Sequence, residues 1–217
     1  DLDSIMEHQR IEGSIFEDGS GCGSRFSTRR ARNEHIRGGG KASGPISWMK
    51  GYDVWAGSIK SGGKTRRAAK MAVFDVGHPD VEEVINLKKR QEEIAAVLDV
   101  MKFDVDWEGE VYQEILSFQN ENISISVPNE YMVAVEEDKE WDLKYVITGE
   151  IAKTLRARSL QEQIANAAWA CGDPGMQFYT TINEWHTCSN TAPINASNPC
   201  SEYMFIDDTA CNLASLN

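Results

Sequence analysis

An α/β fold with a largely parallel sheet is predicted for this 217-residue chain by three observations. Short β-rich runs (MAVFDV, ISISV, MQFYTTI) alternate with helical patterns, as parallel strands require, because each crossover between them takes up a helix. A hydrophobic fraction of 41% supplies enough apolar surface for a real core at this length. No internal repeat and no flexible linker divides the chain, so it reads as a single unit.

The elements follow in order. Leu2, Ile5, Met6, Ile11, Ile15 and Phe16 recur at roughly helical spacing after an Asp/Ser start, which predicts an amphipathic helix over residues 3–17. The turn GSGCG stops it, and residues 19–44, rich in Gly, Ser and Arg, read as one long loop. Loops of that length without elements of their own tend to be functional or disordered. Trp48, Met49, Tyr52 and Trp55 at spacings of three and four predict a second helix over 46–59, and a second basic loop, KSGGKTRRAAK, occupies 60–70. MAVFDV is a strand; GHPDVEEVINLKKRQEE is a helix opened by Pro79, with Asp80, Glu82 and Glu83 in its acidic first turn. Residues 99–110 read as irregular. ISISV (123–127) is a strand and NEYMVAVEED a helix capped by Asn129. A short strand at 145–148, a helix SLQEQIANAAWA capped by Ser159, a GDPG turn and a strand MQFYTTI complete the alternation, and DDTACNLASLN reads as a strand entering a core.

Twenty-two Lys and Arg against 34 Asp and Glu give a net charge of −12, which argues against long-range attraction to DNA, RNA or anionic lipid, so no direct DNA binding is expected. No apolar run approaches the ~20 residues that cross a bilayer, and DLDSIMEHQR lacks the basic start and apolar centre of a signal peptide. A cytoplasmic protein is expected. Cys22, Cys171, Cys188, Cys200 and Cys211 are odd in number and form no CxxC pair, which speaks against a disulfide framework and a zinc ribbon and leaves individual redox or radical thiols open. His186, Cys188 and Cys171 have no regular zinc spacing, so no metal site is expected. His8, His35 and His78 read as surface or turn residues, and Cys22 as a loop thiol exposed if its loop is. The abrupt start at Asp1 and end at Asn217 suggest a segment of a longer protein.

Two constellations could carry chemistry. Arg29, Arg30, Arg32 and Arg37 in the first loop, and Lys64, Arg66, Arg67 and Lys70 in the second, stand beside glycines that let backbone N–H groups approach an anion. An acidic protein that gathers cations in two loops is a candidate for binding nucleotide phosphates; solvated surface loops are the plainer alternative. GGKT is not a P-loop, because the glycine required five residues before Gly63 is Ser58. The second constellation is Asn198-Pro-Cys200-Ser-Glu202. Alternate residues of an extended segment point the same way, so amide, thiol and carboxylate could share a pocket. The amide can orient a substrate hydroxyl, the carboxylate can accept its proton, and the thiol can serve as nucleophile, ligand or hydrogen-atom donor. A structural cysteine with a polar rim fits the same spacing. Cys211, eleven residues on, reads alone as a small buried hydrophobe.

SGGKTRRAAKM, HPDVEE, FQNEN, CGDPGMQF, TTINEWHTC and above all INASNPCSEYMFIDDTACNLASLN resemble the catalytic subunit of ribonucleotide reductase, most nearly its class II, adenosylcobalamin (vitamin B12) dependent form. The resemblance runs from Asp1 to Asn217. It implies a ten-stranded α/β barrel of two parallel half-barrels with a finger loop through the centre, of which this chain would be a single partial domain, about the first half, with the finger loop near its C-terminal end at about 195–205. Cys200 would then be the thiyl radical that removes the 3′-hydrogen of the ribose, Glu202 would take the 3′-hydroxyl proton and Asn198 would hydrogen-bond the same sugar edge. Cys211 matches one of the two thiols that reduce the 2′ position.

The resemblance also implies that residues 19–44 and 60–70 are effector loops. Arg30, Ile36 and Arg37 match positions that bind a deoxynucleoside triphosphate effector at a dimer interface, and Lys64, Arg66 and Arg67 match a loop that passes between effector and substrate base. GSGCGSRF has Cys22 and Arg25 where the family more often has Thr and Asn. The second reducing cysteine, the second half-barrel and the C-terminal cysteine pair are expected outside these 217 residues. The implied activity is reduction of a ribonucleoside di- or triphosphate to the 2′-deoxyribonucleotide for DNA synthesis, with adenosylcobalamin as cofactor and a thioredoxin-type dithiol as reductant, in a possible homodimer. The segment alone is expected to be inactive and, with unpaired sheet edges, prone to aggregate. The alternatives are a class I large subunit, whose radical comes from a separate subunit, and a non-catalytic nucleotide-binding module.

Overall fold

The computed structural model describes residues 1–59, 68–212, 214 and 216. Helix α1 (Leu2–Glu17) begins where the Asp1 carboxylate accepts the Ser4 N–H at 2.9 Å, satisfying one of the donors that a helix start leaves free. Strand β1 (Cys22–Arg25) follows, then α2 (Pro45–Ser58), with proline in its first turn. Next come β2 (Lys70–Asp75), α3 (Val81–Ile85), α4 (Leu87–Val100), a five-residue π-helix (Val111–Ile115) and β3 (Glu121–Val127). The chain continues through α5 (Asn129–Glu136), β4 (Glu140–Lys144), β5 (Ile151–Arg156), α6 (Ala157–Cys171), β6 (Gly175–Phe178) and α7 (Tyr179–Glu184).

Strands β1, β2, β3 and β6 form one sheet in that order, and every pair is parallel. Gly23 stands opposite Met71, which stands opposite Asn122, and Ser126 opposite Gln177. Because side chains alternate along a strand, these residues share one face. The other face carries Ala72, Phe74, Ile123, Ile125 and Val127, packed against Met49 and Tyr52 of α2, Val84 and Ile85 of α3, Tyr131 of α5 and Leu160 and Ile164 of α6. The helices therefore cover one face of the sheet, and the opposite face is left to the 195–205 loop.

Several expectations are corrected. The long loop 19–44 contains β1, which forms because its backbone pairs with β2 from Cys22↔Lys70 to Arg25↔Val73, although Cys, Gly, Ser and Arg are not strong strand formers. Residues 145–148 are not a strand; they lie in the turn of an antiparallel β4–β5 hairpin. The helix predicted after Pro79 is two helices meeting at Asn86. Asn129 does not cap α5, since it is the first residue of the helix with Pro128 at the cap position, and Ser159 lies inside α6. MQFYTTI splits into the end of β6 and the start of α7. Residues 207–212 are exposed and form no strand. No helix among the described residues is long and apolar enough to cross a membrane.

Candidate active site

The 195–205 loop folds into a tight tip. Its stem is closed by an antiparallel bridge between Ser197 and Met204 and by the Asn198 N–H donating to Tyr203 O at 3.2 Å. Inside it the Ser201 N–H donates to Asn198 O at 3.1 Å, a β-turn with Pro199 and Cys200 at its central positions. Proline at the first of these pre-sets the turn. Ser201 follows with φ +64°, a region L residues rarely adopt. Asn198, Cys200 and Glu202 thus lie on a turn and not, as the spacing argument supposed, on an extended segment.

The inner face of the sheet holds this tip in place. Asn122 Nδ2 donates to Pro199 O at 2.9 Å, and Gln177 Nε2 donates to Ser197 Oγ at 2.8 Å and Ser201 Oγ at 3.4 Å. Arg25, paired with Asp75 at 2.7 Å, donates from Nη1 to Asn195 Oδ1 at 3.1 Å, and Asn195 Nδ2 reaches Asp207 Oδ2 at 2.9 Å. Gly23 packs so closely that a Cβ there would sit 1.6 Å from Ser197 O, and one on Gly21 would sit 2.5 Å from Pro199 Cγ. None of these supports was singled out from the sequence as a contact of the loop. The available signal was the alternation Asn122, Ser124, Ser126 along β3, which marks a polar face on a buried strand.

The tip opens on a cavity of about 1650 Å³ lined by α1, β1, part of residues 28–44 and most of residues 195–211, though not Ser201 or Met204. Asn198, Cys200, Glu202 and Cys211 all line it. Cys200, Glu202 and Cys211 are exposed and all five cysteines are free thiols. Asn198 Oδ1 is occupied by the Tyr203 N–H at 2.9 Å, so its Nδ2 is the group left to donate to a ligand.

Arg30, Ile36 and Arg37 line the same cavity. Arg30 Nε is buried and has no partner among the described residues, a donor suited to an anionic ligand. Lys64, Arg66 and Arg67 lie outside the described residues. Two further loop cations, Lys70 and Arg32, are committed elsewhere, and Arg29 only in part, since it lines the cavity and its buried Nε has no partner among the described residues. Lys70 begins β2, fully buried, with Nζ 2.6 Å from Glu12 Oε2 and the rings of Phe26 and Tyr52 beneath it at 4.7 and 4.2 Å. Arg29 lies over Phe26 at 4.2 Å and contacts His8 and Tyr52. Arg32 pairs with Glu83 at 2.7 Å.

At the cavity wall, which His8, Glu12, Cys22 and Ser24 help to line, the Lys70–Glu12 pair extends into a polar cluster. Ser24 Oγ donates to Glu12 Oε1 at 2.5 Å and meets His8 Nε2 at 2.9 Å. Burial holds His8 below the usual histidine range. Cys22, half-buried, turns its thiol toward Glu12, and burial, reinforced by the Glu12 charge, pushes it up to about 11, which keeps it protonated near neutral pH. Next to Lys70 in register, Glu121 is buried with both carboxylate oxygens unpartnered among the described residues, and burial raises it to about 8. His78, expected as a surface or turn residue, lies in the turn after β2 but is buried, with Nε2 at 3.0 Å from Arg29 O and Nδ1 accepting the Asp80 N–H. His186 has a structural place, contacting Ala192 O at 3.0 Å.

The sequence is 49% identical over 216 residues to a vitamin B12-dependent ribonucleotide reductase of Streptomyces avermitilis, covering all of this chain and 22% of that protein. It is 46% identical over 218 residues to the protein of the same name from Rhodopirellula baltica, covering all of this chain and 21% of that one. It is also 31% identical over 217 residues to a vitamin B12-dependent ribonucleoside-diphosphate reductase of Thermoplasma acidophilum, 25% of whose length is covered. The chain thus spans about a fifth to a quarter of these relatives. Residues 1–217 match the family described as the ribonucleotide reductase barrel domain, and the chain belongs to that family.

Proposed function

We propose that this chain supplies the radical-bearing half of the active site in an adenosylcobalamin-dependent reductase that converts ribonucleotides to 2′-deoxyribonucleotides. The observation that carries the reading is the convergence of Asn198, Cys200, Glu202 and Cys211 on one cavity, with Cys200 at the apex of a braced turn. In this reading the Cys200 thiyl takes a hydrogen atom from C3′, so an S–H bond forms as a C–H bond breaks. The Glu202 carboxylate accepts the 3′-hydroxyl proton, and the Asn198 Nδ2 donates to the same sugar edge. The 2′-hydroxyl leaves as water. Cys211 and a second thiol from outside the chain supply two electrons and two protons and are left as a disulfide, and the C3′ hydrogen returns from Cys200. Glu202 forms no hydrogen bond or ion pair among the described residues, which leaves it available as the base.

The exposed Cys200 thiol at the edge of an open cavity fits a bulky hydrogen-atom acceptor arriving from that side. When bound, adenosylcobalamin supplies the one-electron chemistry that generates the radical. Arg30, Ile36 and Arg37 bind a deoxynucleoside triphosphate effector, a role that the orphaned Arg30 Nε supports. The name of the Thermoplasma relative favours a diphosphate substrate. A thioredoxin-type dithiol, a homodimeric assembly and a cytoplasmic location belong to the same reading, in which residues 195–205 are the finger loop and 19–44 and 60–70 the effector loops. The test is turnover by the full-length protein that carries this chain. Reduction with adenosylcobalamin and a dithiol alone is expected; a requirement for a separate radical-generating subunit would establish the class I alternative.

A further inference from the structure

The turn that presents Cys200 has little holding it from within. It is closed by one backbone hydrogen bond, its thiol is exposed, and the next residue, Ser201, stands in the left-handed region at φ +64° without being glycine. A non-glycine residue persists there only where its surroundings over-determine it. The surroundings in question are side chains of β6 and of the loop itself.

Gln177 is buried on β6, opposite Ser126. Its Nε2 donates to Ser197 Oγ at 2.8 Å and to Ser201 Oγ at 3.4 Å, and the two hydroxyls are 3.1 Å apart. Ser197 Oγ in turn donates to Asn198 O at 2.9 Å, the same carbonyl that closes the turn by accepting the Ser201 N–H. A hydroxyl has one proton and two acceptor positions. With the Ser197 proton committed to Asn198 O, Ser197 accepts from both Gln177 and Ser201, so the carbonyl that closes the turn also sets the direction of the hydroxyl pair on which the Gln177 amide rests. Gln177 and Ser201 do not line the cavity, whereas Cys200 between Pro199 and Ser201 does. We propose that Gln177 is a positioning residue that sets where the Cys200 thiol stands, acting through Ser197 and Ser201 on the two sides of the turn. This rests on the reading of Cys200 as the hydrogen-abstracting thiol.

Hydrogen-atom transfer requires close approach, and a displacement of about 1 Å can cost on the order of 10²-fold in rate. In the full-length reductase, Gln177→Leu and Ser201→Ala are each expected to lower kcat by roughly 10- to 100-fold with KM changed less than about twofold, because neither residue lines the cavity. The double variant is expected to be no worse than about threefold below the poorer single one, since both remove the same brace. Unchanged kcat, a loss expressed in KM, or losses that multiply would each overturn the proposal. If Gln177→Leu does not fold, the kcat and KM of Ser201→Ala decide by the same criteria. Cys200→Ser is the control that separates the two readings. A Cys200→Ser protein that still turns over removes the radical assignment and this inference with it, whereas an inactive Cys200→Ser beside an unaffected Gln177→Leu overturns the positioning role alone.

Discussion

Replacing Gly23 with alanine tests how tightly the sheet and the 195–205 loop are fitted. Gly23 is not among the glycines with positive φ, so alanine meets no conformational penalty and the added methyl is the only perturbation. That methyl would lie 1.6 Å from Ser197 O and 2.8 Å from Ser197 C, whereas ordinary contact begins near 3.4 Å. The obstacle is backbone, so no rotamer change relieves it, and the loop must retreat by about 1.8 Å or β1 must yield. A shift of that size exceeds the roughly 1 Å that costs about 10²-fold in a positioned reaction, so kcat of the full-length Gly23→Ala enzyme should fall by at least about 100-fold. Overpacking should also lower stability by about 1–3 kcal/mol. Steady-state turnover and a thermal melt measure both effects. Activity within about threefold of the parent would refute the claim that close packing against β1 places the thiol.

Three other outcomes follow from the buried charges and thiols. Glu121 is neutral in the folded state up to about pH 8, against an ordinary value of 4.5, because it is buried. Its contribution to stability is therefore complete below about 4.5 and is lost as pH rises toward 8, and Glu121→Gln should flatten that decline, by a few kcal/mol, in melts recorded across this window. Lys70→Met should cost about 3–5 kcal/mol by leaving Glu12 buried without its cation, and adding Glu12→Gln should restore much of the loss in the melting temperature. Alkylation at pH 8 followed by mass spectrometry should modify the exposed Cys200 and Cys211 well before Cys22, whose thiol is pushed up to about 11; equal rates would contradict the placement of Cys22 against Glu12.

What could be read from the sequence was what short-range pattern encodes. The α1 and α2 helices follow from apolar residues at helical spacing, and β2 and β3 from dense β-branched and aromatic runs, so local propensity and burial agree there. β1 was hidden because Cys-Gly-Ser-Arg becomes a strand only through pairing with β2, and its glycine is needed for the approach of Ser197. The hairpin of β4 and β5 was hidden because its exposed, charged residues carry no strong period. The site divides in the same way. Asn198, Cys200 and Glu202 lie within five residues and could be grouped by spacing, whereas Asn122, Gln177 and Arg25 reach the loop from three strands far off in sequence. Lys70 looked like a loop cation because nothing local reveals that Glu12, 58 residues earlier, neutralises it.

The central claim is that Cys200 carries the reaction while Arg30 and its neighbours bind the effector, and a single substitution separates the two. The full-length Cys200→Ser protein should lose ribonucleotide reduction to below about 10⁻³ of the parent rate, because a serine hydroxyl does not replace a thiol as hydrogen-atom carrier, and should keep its affinity for deoxynucleoside triphosphates within about twofold. Reduction at a rate near the parent's would contradict the account.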